Sequence, residues 1–394
     1  MKQIFWLLSF IALWMFVQDE GYANETPEEV HEPEQLYEEQ FNSLNTNEIE
    51  EVWTDIRQSY GPFLPESYKR SFSEWLEDED GSGLNHWLQG AVQFFLHEWT
   101  ASLKLLGTFI LLAVFSTMLQ ALQNTFERPA ISRVAYSVTY IVLFLLAINS
   151  FYIAMEYTQE AVSNMVHFMM ALLPLLLALL ASTGAVASAA LFHPLIVFLV
   201  NTSGLLIQNV VLPLLFLSAI LSVISFMNDR FQLTKLAGLM RNVALGFLGL
   251  FLSVFLGVIS VQGATAAATD GIAVRTAKYV AGNFVPVVGR MFTDATDTVL
   301  GASVLVKNTI GMAGLVLLFV ICAFPAIKLL VLSLIFYVSA AVLQPLGAGP
   351  MLESLSLLGR TVLYMFAALS VVCLMFFLSL TMIIASGNVA LMMR

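Results

Sequence analysis

Residues 161–228 form a run of 68 positions without a single Asp, Glu, Lys or Arg. A helix needs only about 20 apolar residues to cross roughly 30 Å of hydrocarbon. A run this long dictates a membrane protein whose backbone polar groups are satisfied inside helices. Composition agrees: the 394-residue chain is 58% hydrophobic and 11% charged, whereas soluble domains carry about a quarter charged residues.

Apolar runs at 105–122, 134–154, 165–182, 190–208, 210–227, 243–262, 309–327, 329–344 and 361–386 read as spanning helices. Residues 280–301 either cross, stay outside or re-enter. The expected fold is therefore an all-α polytopic membrane protein with about 7–10 transmembrane helices. The segment 123–133 carries Arg128 and Arg133, and 228–242 carries Arg230, Lys235 and Arg241. Residues 156–164 hold Glu156 and Glu160 and no basic residue. The positive-inside rule puts the first two segments in the cytoplasm and the third, read as a loop, outside.

The N-terminus is a separate element. Lys2, the apolar stretch "IFWLLSFIALWMFV" and the small-x-small ending "GYA" before Asn24 spell a signal peptide over 1–23. Cleaved, or kept as an anchor, it delivers Asn24 onward outside the cytoplasm. The net charge of −11 is unevenly spread. Residues 24–98 hold 18 acidic and 3 basic residues, while 99–394 hold 8 acidic and 13 basic ones. Residues 24–48 lack the apolar content to offset ordering entropy and read as a disordered acidic spacer. Over 49–100 the apolar stripes are helical: Ile49, Val52, Trp53 and Ile56; Phe72, Trp75 and Leu76; then Leu84, Trp87, Leu88, Ala91, Phe94, Phe95 and Trp99. This is a short extracytoplasmic helical head leading into a first transmembrane hairpin at 101–164.

The rest of the chain repeats itself. Pro174 and Pro213 are 39 positions apart, as are Pro286 and Pro325. "LAGLMRNV" (236–243) and "LSLLGRTV" (355–362) share L-x4-R-x-V. The pattern reads as an internal helical duplication: repeat 165–263, linker 264–277, repeat 278–387 and a tail at 388–394. In this alignment 280–301 is the polar twin of 165–182. Arg290, Asp294 and Asp297 fall at i, i+4 and i+7 on one helical face, and Arg275 and Lys278 share a face after Asp270. Two readings stand: a solvated face of an interfacial helix, or a candidate pore-lining or partner-docking set. Pro174, Pro213, Pro286 and Pro325 are candidate helix breaks. Lys328, three residues after Pro325, is either an intramembrane ligand or a snorkelling side chain.

Several chemistries lack their residues. There is no G-x4-G-K-[ST] phosphate loop, and the five histidines, His31, His86, His97, His167 and His193, never fall in an H-E-x-x-H spacing. His167 reads as a packing histidine rather than a proton relay. "TDG" (269–271) and "GAS" (301–303) lack the partners that intramembrane proteolysis requires. Cys322 and Cys373 lie in apolar runs and suit neither a disulfide framework nor a metal site. No basic cluster points to nucleic acid. The expectation is a non-enzyme without cofactors. Small-residue stretches at 181–190 and 263–269 fit close helix packing or a homo-oligomer within membrane lipids.

On the strings "HPLIVFLVNTSGLLIQN" (193–209), "GVISVQGATAAATDGIAVRTAKYVAGNFVPVVGRMFTDATDTV" (257–299) and "FLSLTMIIASGNVALMMR" (377–394), the chain resembles the stage III sporulation protein AE family of endospore-forming bacteria. The resemblance runs over essentially its whole length. It implies a multi-pass protein of the mother-cell membrane around the forespore. It further implies membership, with the other stage III sporulation A-operon membrane proteins and the forespore's stage II sporulation protein Q, of a channel or feeding-tube complex. That complex supports late forespore gene expression, with this subunit as a pore-forming or export-gate-like component. A stand-alone secondary permease and a non-conducting scaffold are the alternatives. The resemblance transfers no catalytic residue.

Overall fold

The computed structural model describes residues 47–65, 84–123, 129–227, 232–284, 288–346 and 349–392. The signal peptide, most of the acidic spacer, the apolar stripe at 72–76 and Pro286 lie outside these residues. Eight α-helices follow one another among the described residues, with no strand. They are α1 (Asn47–Tyr60), α2 (Leu84–Gln123), α3 (Pro129–Ser182), α4 (Val186–Leu206), α5 (Leu212–Met227), α6 (Thr234–Phe284), α7 (Val288–Leu343) and α8 (Gly349–Met392). Among the described residues six helical segments are long and apolar enough to cross a membrane: His86–Phe115, Ser137–Ser182, Val186–Phe226, Thr234–Gly263, Leu300–Leu343 and Gly349–Ser386. The protein is all-α, with the helices of a multi-pass membrane protein.

These segments are fewer and longer than the apolar runs from which they arise. Runs 134–154 and 165–182 join in α3, and runs 309–327 and 329–344 join in α7. Runs 190–208 and 210–227 are continuous through α4, a π-helical turn at Ile207–Val211 and α5. Residues 156–164 are not an external loop but the middle of α3. They contain neither Gly nor Pro, so nothing in them stops a helix that both flanking runs propagate. The segment 264–277, expected as a linker, continues α6 as helix. At 54 residues α3 extends about 80 Å, more than twice the hydrocarbon thickness.

Prolines do not break these helices. Pro174 and Pro325 lie inside α3 and α7, as Pro194 does in α4. Pro213 is the second residue of α5, directly after the π-helical turn. A proline removes one donor from the ladder, and a π turn is where such a gap is commonly absorbed. The α3–α4 turn does end a helix, and it does so with glycine. Gly184 takes a left-handed φ of 86°, while its amide and that of Thr183 bond the carbonyls of Ala181 and Leu179.

The pair α7–α8 forms the centre, antiparallel along its length. Gly311 faces Ile384 at one end of their contact, and Gly359 faces Phe336 and Ser333 further along. Parallel to α7 runs α2, with Phe94 on Phe324 and Phe109 on Phe336. Antiparallel to it runs α3, with Tyr157 at Lys328 and Leu172 at Gly314. Lipid supplies no hydrophobic drive between helices, so close packing and polar latches must hold them. Ser218 Oγ donates to the Ala237 carbonyl (2.7 Å) across α5–α6, and Ser333 Oγ to the Gly359 carbonyl (2.9 Å) across α7–α8. Tyr140 and Ser354 share a 2.8 Å bond between α3 and α8. Other hydroxyls return to their own helix, as Thr158 does to Ala154 and Ser379 to Met375.

Gly359 tests this register. A Cβ there would lie 3.2 Å from both Phe336 Cβ and the Ser333 carbonyl oxygen. Gly359→Val is expected to cost about 1–3 kcal/mol by overpacking, read as a lower melting temperature in detergent. Gly107→Val, whose Cβ would meet nothing within 4 Å, should leave it unchanged. Equal melting of both variants would remove Gly359 from the seam.

Candidate functional site

Halfway along α3 and α7 the apolar packing opens into a polar cleft of about 930 Å³. Helix α1 contributes Glu48, Glu51, Asp55 and Tyr60; α2 contributes Phe94, His97 and Glu98. The floor is Tyr157, Glu160, Ala161, Asn164 and His167 of α3 with Ile321, Pro325 and Lys328 of α7. Helical periodicity explains the α3 contribution: Glu160, Asn164 and His167 stand at i, i+4 and i+7 on one face, and all three are exposed to the cleft. On α7, Pro325 has no N–H to give the Ile321 carbonyl four residues back, and Lys328 emerges one turn later.

Lys328 is held by two partners. Its Nζ lies 3.7 Å from the Tyr157 ring centroid and 3.8 Å from Glu98 Oε1. With the two charged side chains 31% and 17% exposed, the ion pair contributes at most about 1 kcal/mol and the ring contact a similar amount. Five carboxylates, Glu48, Glu51, Asp55, Glu98 and Glu160, line the cleft beside this one ammonium. Tyr60, on α1 and outside the spanning segments, registers that negative field. Burial first, then Glu160, Glu98 and Tyr157, push its phenol up to about 12.

Aromatic rings close the rim. Tyr60 stacks on Phe324 with centroids 4.3 Å apart and planes 7° apart, and meets Phe94 edge-on at 5.8 Å. Phe94 in turn packs edge-on against Phe324 (4.9 Å) and Phe63 edge-on against Phe94 (5.1 Å), while Phe63 meets His97 at a tilt (5.3 Å).

Of the candidate pore-lining, docking and helix-break residues named from sequence, the cleft contains Pro325 and Lys328. Pro174 and Pro213 lie in α3 and α5 and do not line it. Asp270, Arg275 and Lys278 sit on the backbone of α6, and Arg290, Asp294 and Asp297 in the first turns of α7. The side chains of these six are outside the described residues. Sequence reasoning missed Tyr60, His97, Glu98, Tyr157, Glu160, Asn164 and His167. A signal existed: Glu160, Asn164 and His167 have the same i, i+4, i+7 spacing as Arg290, Asp294 and Asp297, but a loop assigned to 156–164 hid it. His167, expected to pack, faces the cleft instead. Lys307 was also missed. It is fully buried in α7, and its Nζ donates to the Ile384 carbonyl of α8 at 2.8 Å. Among the described residues no three His, Cys, Asp or Glu side chains converge to hold a metal ion.

Among the described residues, six helical segments of spanning length and apolarity, with a polar cleft between them, are those of a multi-pass membrane protein. Residues 67–387 match the family model of stage III sporulation protein AE. The chain is 52% identical, over the full length of both proteins, to stage III sporulation protein AE of Bacillus subtilis (strain 168). It belongs to the stage III sporulation protein AE family, which assigns it a role in sporulation. No solved structure matches it.

The raised Tyr60 pKa has a measurable sign. An acid whose pKa rises on folding contributes stability that is full below its unfolded value, near 10, and is lost as pH climbs through the folded value, about 12. The wild-type chain should lose stability across that window, and Tyr60→Phe should lose less. Thermal melts in detergent at stepped pH measure it. Superimposable profiles would contradict a phenol buried beside carboxylates.

Proposed function

We propose that this chain is a membrane subunit of the channel, or feeding tube, that joins mother cell to forespore during endospore formation. It acts there as a pore-forming or export-gate-like component and performs no catalysis. The observation that carries this reading is the cleft. Carboxylates, an ammonium, an amide and two imidazoles line helices of spanning length, and such groups cost several kcal/mol in a membrane unless they face water or another protein. In this reading the body lies in the mother-cell membrane around the forespore, with the acidic head outside the cytoplasm. The other stage III sporulation A-operon membrane proteins contact it, and through them stage II sporulation protein Q. Its part is passive: a passage and a docking surface, with energy supplied by partners.

Filling the cleft tests this. In sporulating cells Glu160→Leu with Asn164→Leu should leave membrane levels and co-isolation of the complex normal while a late forespore reporter falls several-fold. A normal reporter with the cleft filled would overturn the conduit and leave a scaffold. Solute transport by the chain alone in liposomes would overturn the subunit reading in favour of a stand-alone permease.

A further inference from the structure

We infer that α1 and the 3₁₀ turn after it, Gly61–Phe63, form a lid over the mid-bundle cleft, shut by an aromatic clasp and opposed by like charge. The inference rests on the conduit reading and adds its regulation. Helix α1 has 14 residues, a length at which an isolated helix is marginal in water. It is therefore a helix because it is docked. Ile49, Trp53 and Ile56 make one buried stripe against the bundle, and Leu64 follows beyond the turn. The helix packs on both α3 and α7, the two helices that supply the cleft floor.

The clasp fixes where the lid sits. Tyr60 lies flat on Phe324, the residue before Pro325, and Phe63 leans on Phe94. Gly90 of α2 admits the turn: a Cβ at that position would collide with the Phe63 carbonyl oxygen. Beneath the lid, Ala161 lines the cleft and is only 2% exposed.

Charge works the other way. The lid brings Glu48, Glu51 and Asp55 to a cleft already lined by Glu98 of α2 and Glu160 of α3. Lys328 is engaged by Glu98 and Tyr157, and the remaining titratable groups in the cleft are His97, His167 and the phenols of Tyr60 and Tyr157. Apolar contacts and ring stacking thus hold closed an element that brings carboxylates to a cleft already lined with them. Such a balance responds to ionic strength, because salt screens exposed charges and leaves buried apolar contacts intact.

The test is thiol labelling of the full-length protein in nanodiscs, in a Cys322→Ala, Cys373→Ala background. Ala161→Cys reports the floor and Ala368→Cys, fully buried in α8, reports the core. A bulky, charged maleimide should label residue 161 slowly with the native lid, and more slowly still at high salt. Tyr60→Ala and Gly90→Ala should each speed it several-fold, Tyr60→Phe should keep it slow, and residue 368 should stay silent throughout. Unchanged rates in both Tyr60→Ala and Gly90→Ala would overturn the lid, as would fast labelling beneath the native clasp. Labelling of residue 368 in those variants would also overturn it, because α1 would then be part of the core. The cleft-filling variant reports on the conduit through the forespore reporter, so either reading can fail without the other.

Discussion

Without water to compete for hydrogen bonds or to drive apolar surfaces together, α7 and α8 are held by close contact and a few polar latches. Gly311 lets α7 approach Ile384, Gly359 lets α8 approach Phe336, and Ser333 closes the gap to the Gly359 carbonyl. The other helices take their positions from this seam. Helix α2 reads α7 in the parallel sense through stacked phenylalanines, and α3 reads it in the antiparallel sense through Gly314. The cleft forms where polar side chains of α2 and α3 meet α7, around Pro325 and Lys328. Its location is thus a consequence of the seam.

Burial separates centre from periphery along the same lines. The best apolar windows of Ser137–Ser182 and Leu300–Leu343 are 50% buried, against 11% for His86–Phe115 and 17% for Thr234–Gly263. The two longest helices are therefore the sheltered ones. That explains why a polar cleft can open midway along α3 and α7, with apolar helix on either side.

The class of protein was legible because 68 uncharged residues in a row permit no other answer. Helix continuity was not. The sequence Glu156–Asn164 has polar residues of the kind that loops carry, and only the absence of Gly and Pro says helix. Which face of that helix is wet depends on α1, α2 and α7 arriving from elsewhere, so periodicity alone could mark Glu160, Asn164 and His167 as a stripe but not as a wall. The stripe of Ile49, Trp53 and Ile56 was legible as amphipathic, whereas its partner was not. Family strings supplied the sporulation role, which no spacing or composition contains.

Two lysines on one helix show how far local sequence falls short. Both Lys307 and Lys328 interrupt apolar stretches of α7, and hydropathy treats them alike. Lys307 is fully buried and bonds a backbone carbonyl 77 residues away, so its charge is spent on joining α7 to α8. Lys328 keeps 31% of its side chain exposed and is shared between a ring and a carboxylate that both line the cleft. Neither of those contacts is strong in a wet setting. A charge fixed by a buried carbonyl cannot be redeployed without opening the seam, whereas one held by weak, accessible contacts can exchange them for another partner. Of the two, only Lys328 is placed to respond when something enters the cleft or the lid above it moves.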